Sequence, residues 1–151
     1  MTVSSVRTPK ACRERAVAFK KDAEELRAIS SQWYAVSYFY AAFHTVRASL
    51  MEDPVFSDLS RLKSYNEAWI PDDRFNEHHQ ARRGSHGQNP PGVSDMVKML
   101  YPQIAVEYVQ LHSASVAVRY GFGLAAYDAD ALATAFDTIA KAAAAGRLVA
   151  T

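Results

Sequence analysis

Five histidines and several clustered arginines are the residues of this 151-residue chain best able to move protons or hold phosphate near neutral pH. Between Pro71 and Gly92 the chain reads PDDRFNEHHQARRGSHGQNPPG, which gathers Arg74, His78, His79, Arg82, Arg83 and His86 with the aromatic Phe75. RNA cleavage needs a base for the 2′-hydroxyl, an acid for the leaving oxygen and cations for the phosphate, and this segment carries all three kinds of group. A second set is His44 and Arg47, three positions apart and so on one helical face, with Tyr40 a turn earlier. An imidazole titrates near neutrality and a guanidinium fork matches phosphate. His44 and His86 are therefore the candidate catalytic residues, and Arg47, Arg74, Arg82 and Arg83 the candidate nucleic-acid contacts. The plainer reading is a buried, satisfied histidine and a solvated loop.

Other chemistries have less behind them. His78, His79 and His86 with Asp72 or Asp73 match no zinc signature, and adjacent histidines rarely reach one ion, so no metal or cofactor is expected. No GxSxG, GxGxxG, Walker loop or HExxH occurs, and Glu107 is followed three residues later by Gln110 instead of the histidine of a di-iron bundle. The single Cys12 excludes an intrachain disulfide; it falls on an apolar stripe, where it reads as a small packed side chain. Lys and Arg total 17 against 16 Asp and Glu, so any contact with a polyanion must be local. The start MTVSSVRTPK lacks the apolar core of a signal peptide, which sets the expectation of a cytoplasmic protein.

Helices must position these groups. Thr8-Pro9 reads as a cap followed by a first-turn proline, and Cys12, Ala16, Phe19, Ala23 and Leu26 then recur in steps of four and three. Ser30 or Ser31 is expected to cap a central helix, SQWYAVSYFYAAFHTVRASL, which has Trp33, Val36, Tyr40, Phe43, Arg47 and Leu50 on one side. Ala35, Phe39, Ala42 and Val46 form a second apolar stripe, so this helix needs neighbours on most sides. Its uncharged run from Trp33 to Phe43 is far short of the roughly 20 apolar residues a bilayer span requires. Glu52, Asp53 and Pro54 break the pattern; Phe56, Leu59, Leu62 and Tyr65 or Trp69 suggest a short amphipathic helix before Pro71. The polar segment 71–92 reads as a mobile loop between the second and third long helices. Ser94 restarts a helix, Pro102 kinks it or opens the next, and Ile104, Tyr108, Leu111, Ser115 and Val118 carry the third long helix to Gly121. In that helix His112 and Arg119 read as packing and helix-end residues. A last helix runs from Asp128 or Asp130 to Gly146. The expectation is one all-α domain over 1–151, an up-down bundle of four to five helices.

The run WYAVSYFYAAFHTVRASL resembles the second helix of HEPN domains (higher eukaryotes and prokaryotes nucleotide-binding), with Trp33, Val36, Tyr40, Ala41, Ala42, His44 and Ala48 carrying the match. Gly84-Ser85-His86 looks like the Ser-His step of some bacterial members. Tyr108, Leu111, Ser113 and Arg119-Tyr120 look like their closing helix. The resemblance implies a helical bundle, commonly dimeric, in a family of ribonuclease toxins that work without metal, nucleotide-binding partners and inactive members. Catalytic members carry Arg-x4–6-His near the start of a late helix. Here Arg119 has no following histidine, while Arg74 and His79 have that spacing inside the polar loop, with Phe75 where a polar residue is usual.

These readings set the functional expectation: a HEPN-like protein that binds RNA or nucleotide, with metal-independent RNA cleavage as its catalytic form, in a toxin–antitoxin or defence pair. The alternative is a non-catalytic helical protein-interaction module. A homodimer is expected, because Trp33, Tyr34, Tyr38 and Phe39 offer more apolar surface than companion helices need. A cognate protein partner is expected and a membrane is not.

Overall fold

The computed structural model of the protein describes residues 7–79, 91–121 and 123–151, and every regular element among them is helical. Helix α1 spans Pro9–Ala28. The Thr8 hydroxyl accepts a hydrogen bond from the Ala11 N–H at 3.1 Å, satisfying one of the first-turn donors that no helical carbonyl can reach. Cys12, Ala16 and Ala23 are buried. At the other end Ser30 adopts φ 58°, and the N–H groups of Ser30 and Ser31 donate back to the carbonyls of Arg27 and Leu26 at 3.0 and 2.9 Å. This closes α1 with a left-handed residue, a task usually given to glycine.

Helix α2 spans Tyr34–Glu52; the N–H groups of Ser30 and Ser31 close α1, while Ser31 also accepts from the Trp33 N–H through Oγ at 3.4 Å and from the Tyr34 N–H through its carbonyl at 3.3 Å. The helix runs through the middle of the fold and packs on α1, α5 (Ala105–Arg119) and α6 (Ala129–Ala144). The second apolar stripe proves the deeper one: Ala35, Phe39, Ala42 and Val46 are completely buried, whereas Trp33 is 53% exposed. Tyr38 leans on Phe136 of α6 and Phe39 on Tyr108 of α5, both with ring centroids 5.6 Å apart. Tyr34, Tyr38 and Phe39 are thus consumed inside the chain, which corrects the surplus-surface argument for a homodimer.

A 3-10 turn at Pro54–Ser57 and helix α3, Leu59–Tyr65, follow. The turn is capped by Asp53, which is 3% exposed yet fully engaged. Its carboxylate accepts from the Val55 N–H at 3.0 Å, the Tyr101 hydroxyl at 2.8 Å and the Ala150 N–H at 2.9 Å. One carboxylate therefore ties the end of α2 to the approach to α5 and to the last residues of the chain. Arg61 and Gln103 hold the same tail by donating to the carbonyls of Ala150 and Arg147.

The polar segment departs from expectation over its first part. Pro71–Phe75 forms a 3-10 turn, and Phe75 packs on the buried cluster of Cys12, Ala48 and Met51. Arg47 Nε donates to the Asn76 carbonyl at 3.1 Å, and the carbonyls of His78 and His79 accept from Val93 and Ser94 at 2.8 and 3.0 Å. A structureless loop from Pro71 to Gly92 is thereby corrected over 71–79 and at the buried Pro91 and Gly92; residues 80–90 lie outside the described residues. Helix α4, Val93–Leu100, starts at Gly92, whose N–H donates to Asp95 at 3.0 Å.

Pro102 opens a 3-10 turn that leads into α5, and Gly121 and Gly123, both at positive φ, turn the chain away. Asp128 caps α6, accepting from the Asp130 N–H at 3.2 Å, and Gly146 at φ 70° ends it. The four long helices expected are α1, α2, α5 and α6; with the short α3 and α4 the described residues hold six rather than four or five. No helix among them is long and apolar enough to cross a membrane.

Candidate functional site

His44 lies in the seam between α1 and α2, 8% exposed. Its ring stacks on Phe19 with centroids 5.6 Å apart and planes inclined by 7°, and Phe43 meets it edge-on at 5.2 Å. Burial, helped by the nearby Arg47 and Arg15 cations, lowers its pKa to about 4, so it is neutral at pH 7. It faces Phe19, not an open groove. Arg47, 2% exposed, combines its bond to the Asn76 carbonyl with a position 5.8 Å from the Phe43 ring centroid. That placement makes it an anchor for residues 76–79. Arg74 sits over its own neighbour Phe75 at 4.8 Å. Arg82, Arg83 and His86 lie outside the described residues, so the common groove expected between them and His44 has no described counterpart.

Two other described histidines, His79 and His112, meet elsewhere. Tyr108, His112, Ser115 and Arg119 stand four, three and four residues apart and therefore form one stripe along α5. His79, brought in by the ordered end of the polar segment, places its ring 5.0 Å from that of His112 at an angle of 51°. Phe39 of α2 supports both, 5.8 Å from His79 and 5.0 Å from His112. Burial lowers the pKa of each imidazole; Arg119 adds to the effect on both, and each ring has a further histidine beside it. Lys98 of α4 contributes to the effect on His112. Burial pushes the Tyr108 phenol, beside Ser94, upward.

This cluster is short of partners. His79 Nδ1, His112 Nε2, Ser115 Oγ and Arg119 Nε are all buried and make no hydrogen bond among the described residues. Each such atom costs about 1–3 kcal/mol, and most buried polar groups avoid that cost; His44 Nδ1 and Arg74 Nε are unbonded elsewhere, but three such groups share the α5 stripe with His79 beside them, and that gathering marks a candidate site. Two hollows lie apart from it. A polar one of about 510 Å³ is lined by Asp72, Asp73, Glu77 and His78, and an apolar cleft of about 590 Å³ opens between α1 and α6 over Ala48. Among the described residues no group of three histidine, cysteine or carboxylate side chains is placed to hold a metal ion.

Sequence reasoning singled out His44 and Arg47 and set His112 and Arg119 aside. The four-three-four spacing from Tyr108 to Arg119 was the signal that could have found the stripe, because polar residues recurring at helical period need a common reason. In comparisons with protein-family models, curated proteins and solved structures, nothing matches the chain.

Proposed function

We propose that the protein is a HEPN-like RNA-binding protein that cleaves RNA without metal, with His79 and His112 as the proton-transfer pair and Arg119 as the phosphate contact. The observation that carries this reading is the pair itself: two imidazoles 5.0 Å apart beside a guanidinium whose Nε is buried and unbonded among the described residues. Two neighbouring imidazoles that oppose each other's charge share one proton before they take two. One neutral ring can remove the 2′-hydroxyl proton as that oxygen attacks phosphorus. The other, protonated, gives its proton to the departing 5′-oxygen, which leaves a 2′,3′-cyclic phosphate. Arg119 would offset the negative charge on the non-bridging oxygens. The resemblance to a family of metal-independent ribonucleases supports the same reading, as does the basic segment bearing Arg82, Arg83 and His86, which directly follows His79 in the chain.

Exposed valines on α5, Val106 at 76% and Val109 at 40%, favour the second reading, a protein-interaction module. The deciding experiment incubates unstructured RNA with the protein in the presence of a chelator. His79→Ala and His112→Ala are each expected to slow cleavage by roughly 10²–10⁴-fold with helical circular dichroism unchanged. Arg119→Ala is expected to weaken RNA binding and its salt dependence. A wild-type protein that neither binds nor cuts RNA leaves the interaction module standing.

A further inference from the structure

We propose that Tyr120 is a stacking platform for one unpaired nucleobase, so that the His79–His112–Arg119 site takes single-stranded RNA and rejects duplex. The inference rests on the RNA reading above and adds the substrate's strandedness and the residue that selects it.

Tyr120 follows Arg119 at the C-terminal end of α5 and is 68% exposed, an unusual degree for a tyrosine next to a buried polar stripe. Its backbone is held: the Tyr120 N–H donates to the Val116 carbonyl at 3.0 Å, and the Gly123 N–H closes on the Ala117 carbonyl at 3.0 Å. Gly121, at φ 86°, bends the chain away immediately afterwards. The Arg119 guanidinium carbon lies 5.7 Å from the Tyr120 ring centroid, so the aromatic ring and the proposed phosphate contact form a single unit. That same guanidinium is close enough to depress both His79 and His112. Tyr120 and Arg119 close α5, and His112, about two turns earlier on the same helix, meets His79 there. A nucleotide joins its flat base, through the ribose that carries the 2′-hydroxyl, to the phosphate and its leaving 5′-oxygen, so a base stacked on Tyr120 carries its phosphate toward Arg119 and the imidazoles.

An exposed ring can accept the face of any base, because every base has a π-face. Paired bases inside an A-form helix keep their faces stacked on each other and cannot be offered to a ring fixed on a protein surface. Stacking on Tyr120 therefore requires an unpaired nucleotide. The platform carries no donor or acceptor pattern of its own toward a base edge, so selectivity is for strandedness with weak preference among bases.

The test measures binding of a 3′-labelled, 2′-O-methyl oligonucleotide, which cannot be cleaved, as a single strand and annealed to its complement. Wild type should bind the single strand at least about tenfold more tightly than the duplex. Tyr120→Phe should keep this affinity within about threefold, whereas Tyr120→Ala and Tyr120→Leu should lose roughly 5- to 100-fold, the range seen for removal of a stacking aromatic. Retention in Tyr120→Phe together with loss in Tyr120→Leu separates an aromatic face from generic apolar contact. Equal affinity of wild type and Tyr120→Ala, with binding lost in His112→Ala and Arg119→Ala, overturns this inference and leaves the RNA reading intact. Equal binding of duplex and single strand also overturns it. A wild type that binds neither form removes the RNA reading itself, and this inference with it.

Discussion

The imidazole of His44 lies flat against the ring of Phe19, centroids 5.6 Å apart and planes inclined by 7°, and this contact places a group that titrates in the packing of α1 on α2. In the folded protein the pKa of His44 is held down to about 4, below the ordinary value of 6.5. The unfolded chain therefore binds more protons between these two values, and stability must rise with pH across that window. The contribution is complete above pH 6.5 and is lost as pH falls toward 4. A shift of this size is worth on the order of 3 kcal/mol when fully expressed. His44→Phe should flatten the acid limb of a stability–pH curve while changing stability at pH 7 by less than about 1.5 kcal/mol. Denaturant midpoints measured at pH 7, 6, 5 and 4 for both proteins check it, and an unchanged acid limb in the variant rules it out.

Asp53 should be among the costliest polar residues to remove. Asp53→Ala strands the Val55 N–H, the Tyr101 hydroxyl and the Ala150 N–H, all now satisfied by one buried carboxylate. At about 1–3 kcal/mol for each buried group left unmade, the expected loss is at least about 3 kcal/mol. Urea unfolding gives the number. Hydrogen exchange should show the last residues of the chain opening first, since the tail loses its hold on the end of α2.

His79 and His112 should titrate as a pair. Each has its pKa lowered first by burial, and His79, 5.0 Å away, lowers His112 further. Imidazole resonances followed by NMR should show both rings titrating below the ordinary histidine value. His79→Asn should move the His112 titration upward, because a like charge has been removed. A His112 curve identical in the variant would mean that the rings do not sense each other, contrary to their 5.0 Å separation.

Arg47 should act as a clamp on the polar segment. Arg47→Ala removes the donor to the Asn76 carbonyl and most of a completely enclosed side chain, so it should cost about 2–5 kcal/mol. The amides of Val93 and Ser94, bonded to the His78 and His79 carbonyls, should exchange slowly in wild type and markedly faster in the variant. Equal protection in the two proteins would disconnect Arg47 from the placement of His79.

Much of the fold could be read from local signals, because caps, prolines, terminal glycines and steps of three and four act within a few residues. Thr8-Pro9, Asp128 and the glycines at 121 and 146 bound their helices as expected. The start of α2 could not be read this way, since Ser30 and Ser31 could serve either helix; Ser30 closes α1, and Ser31 serves both, donating to Leu26 and accepting from Trp33 and Tyr34. Segment 71–79 misled for a related reason. Its composition is that of a loop, yet Phe75 finds the Cys12, Ala48 and Met51 cluster and Asn76 finds Arg47, partners distant in sequence.

The sequence by itself determined an all-helical chain, with a central helix apolar on nearly every side and a dense set of histidines and arginines. Only the tertiary structure decided which of α2's two apolar stripes lies deepest, and with it which histidines meet. Phe39, buried between α2 and α5, is the floor on which His79 and His112 come together, whereas Phe19 of α1 covers His44. His79 and His112 belong to different elements, and no periodicity within either one encodes their pairing. That pairing exists because helices of uniform pattern can pack in several ways, and close packing around particular large rings selects one.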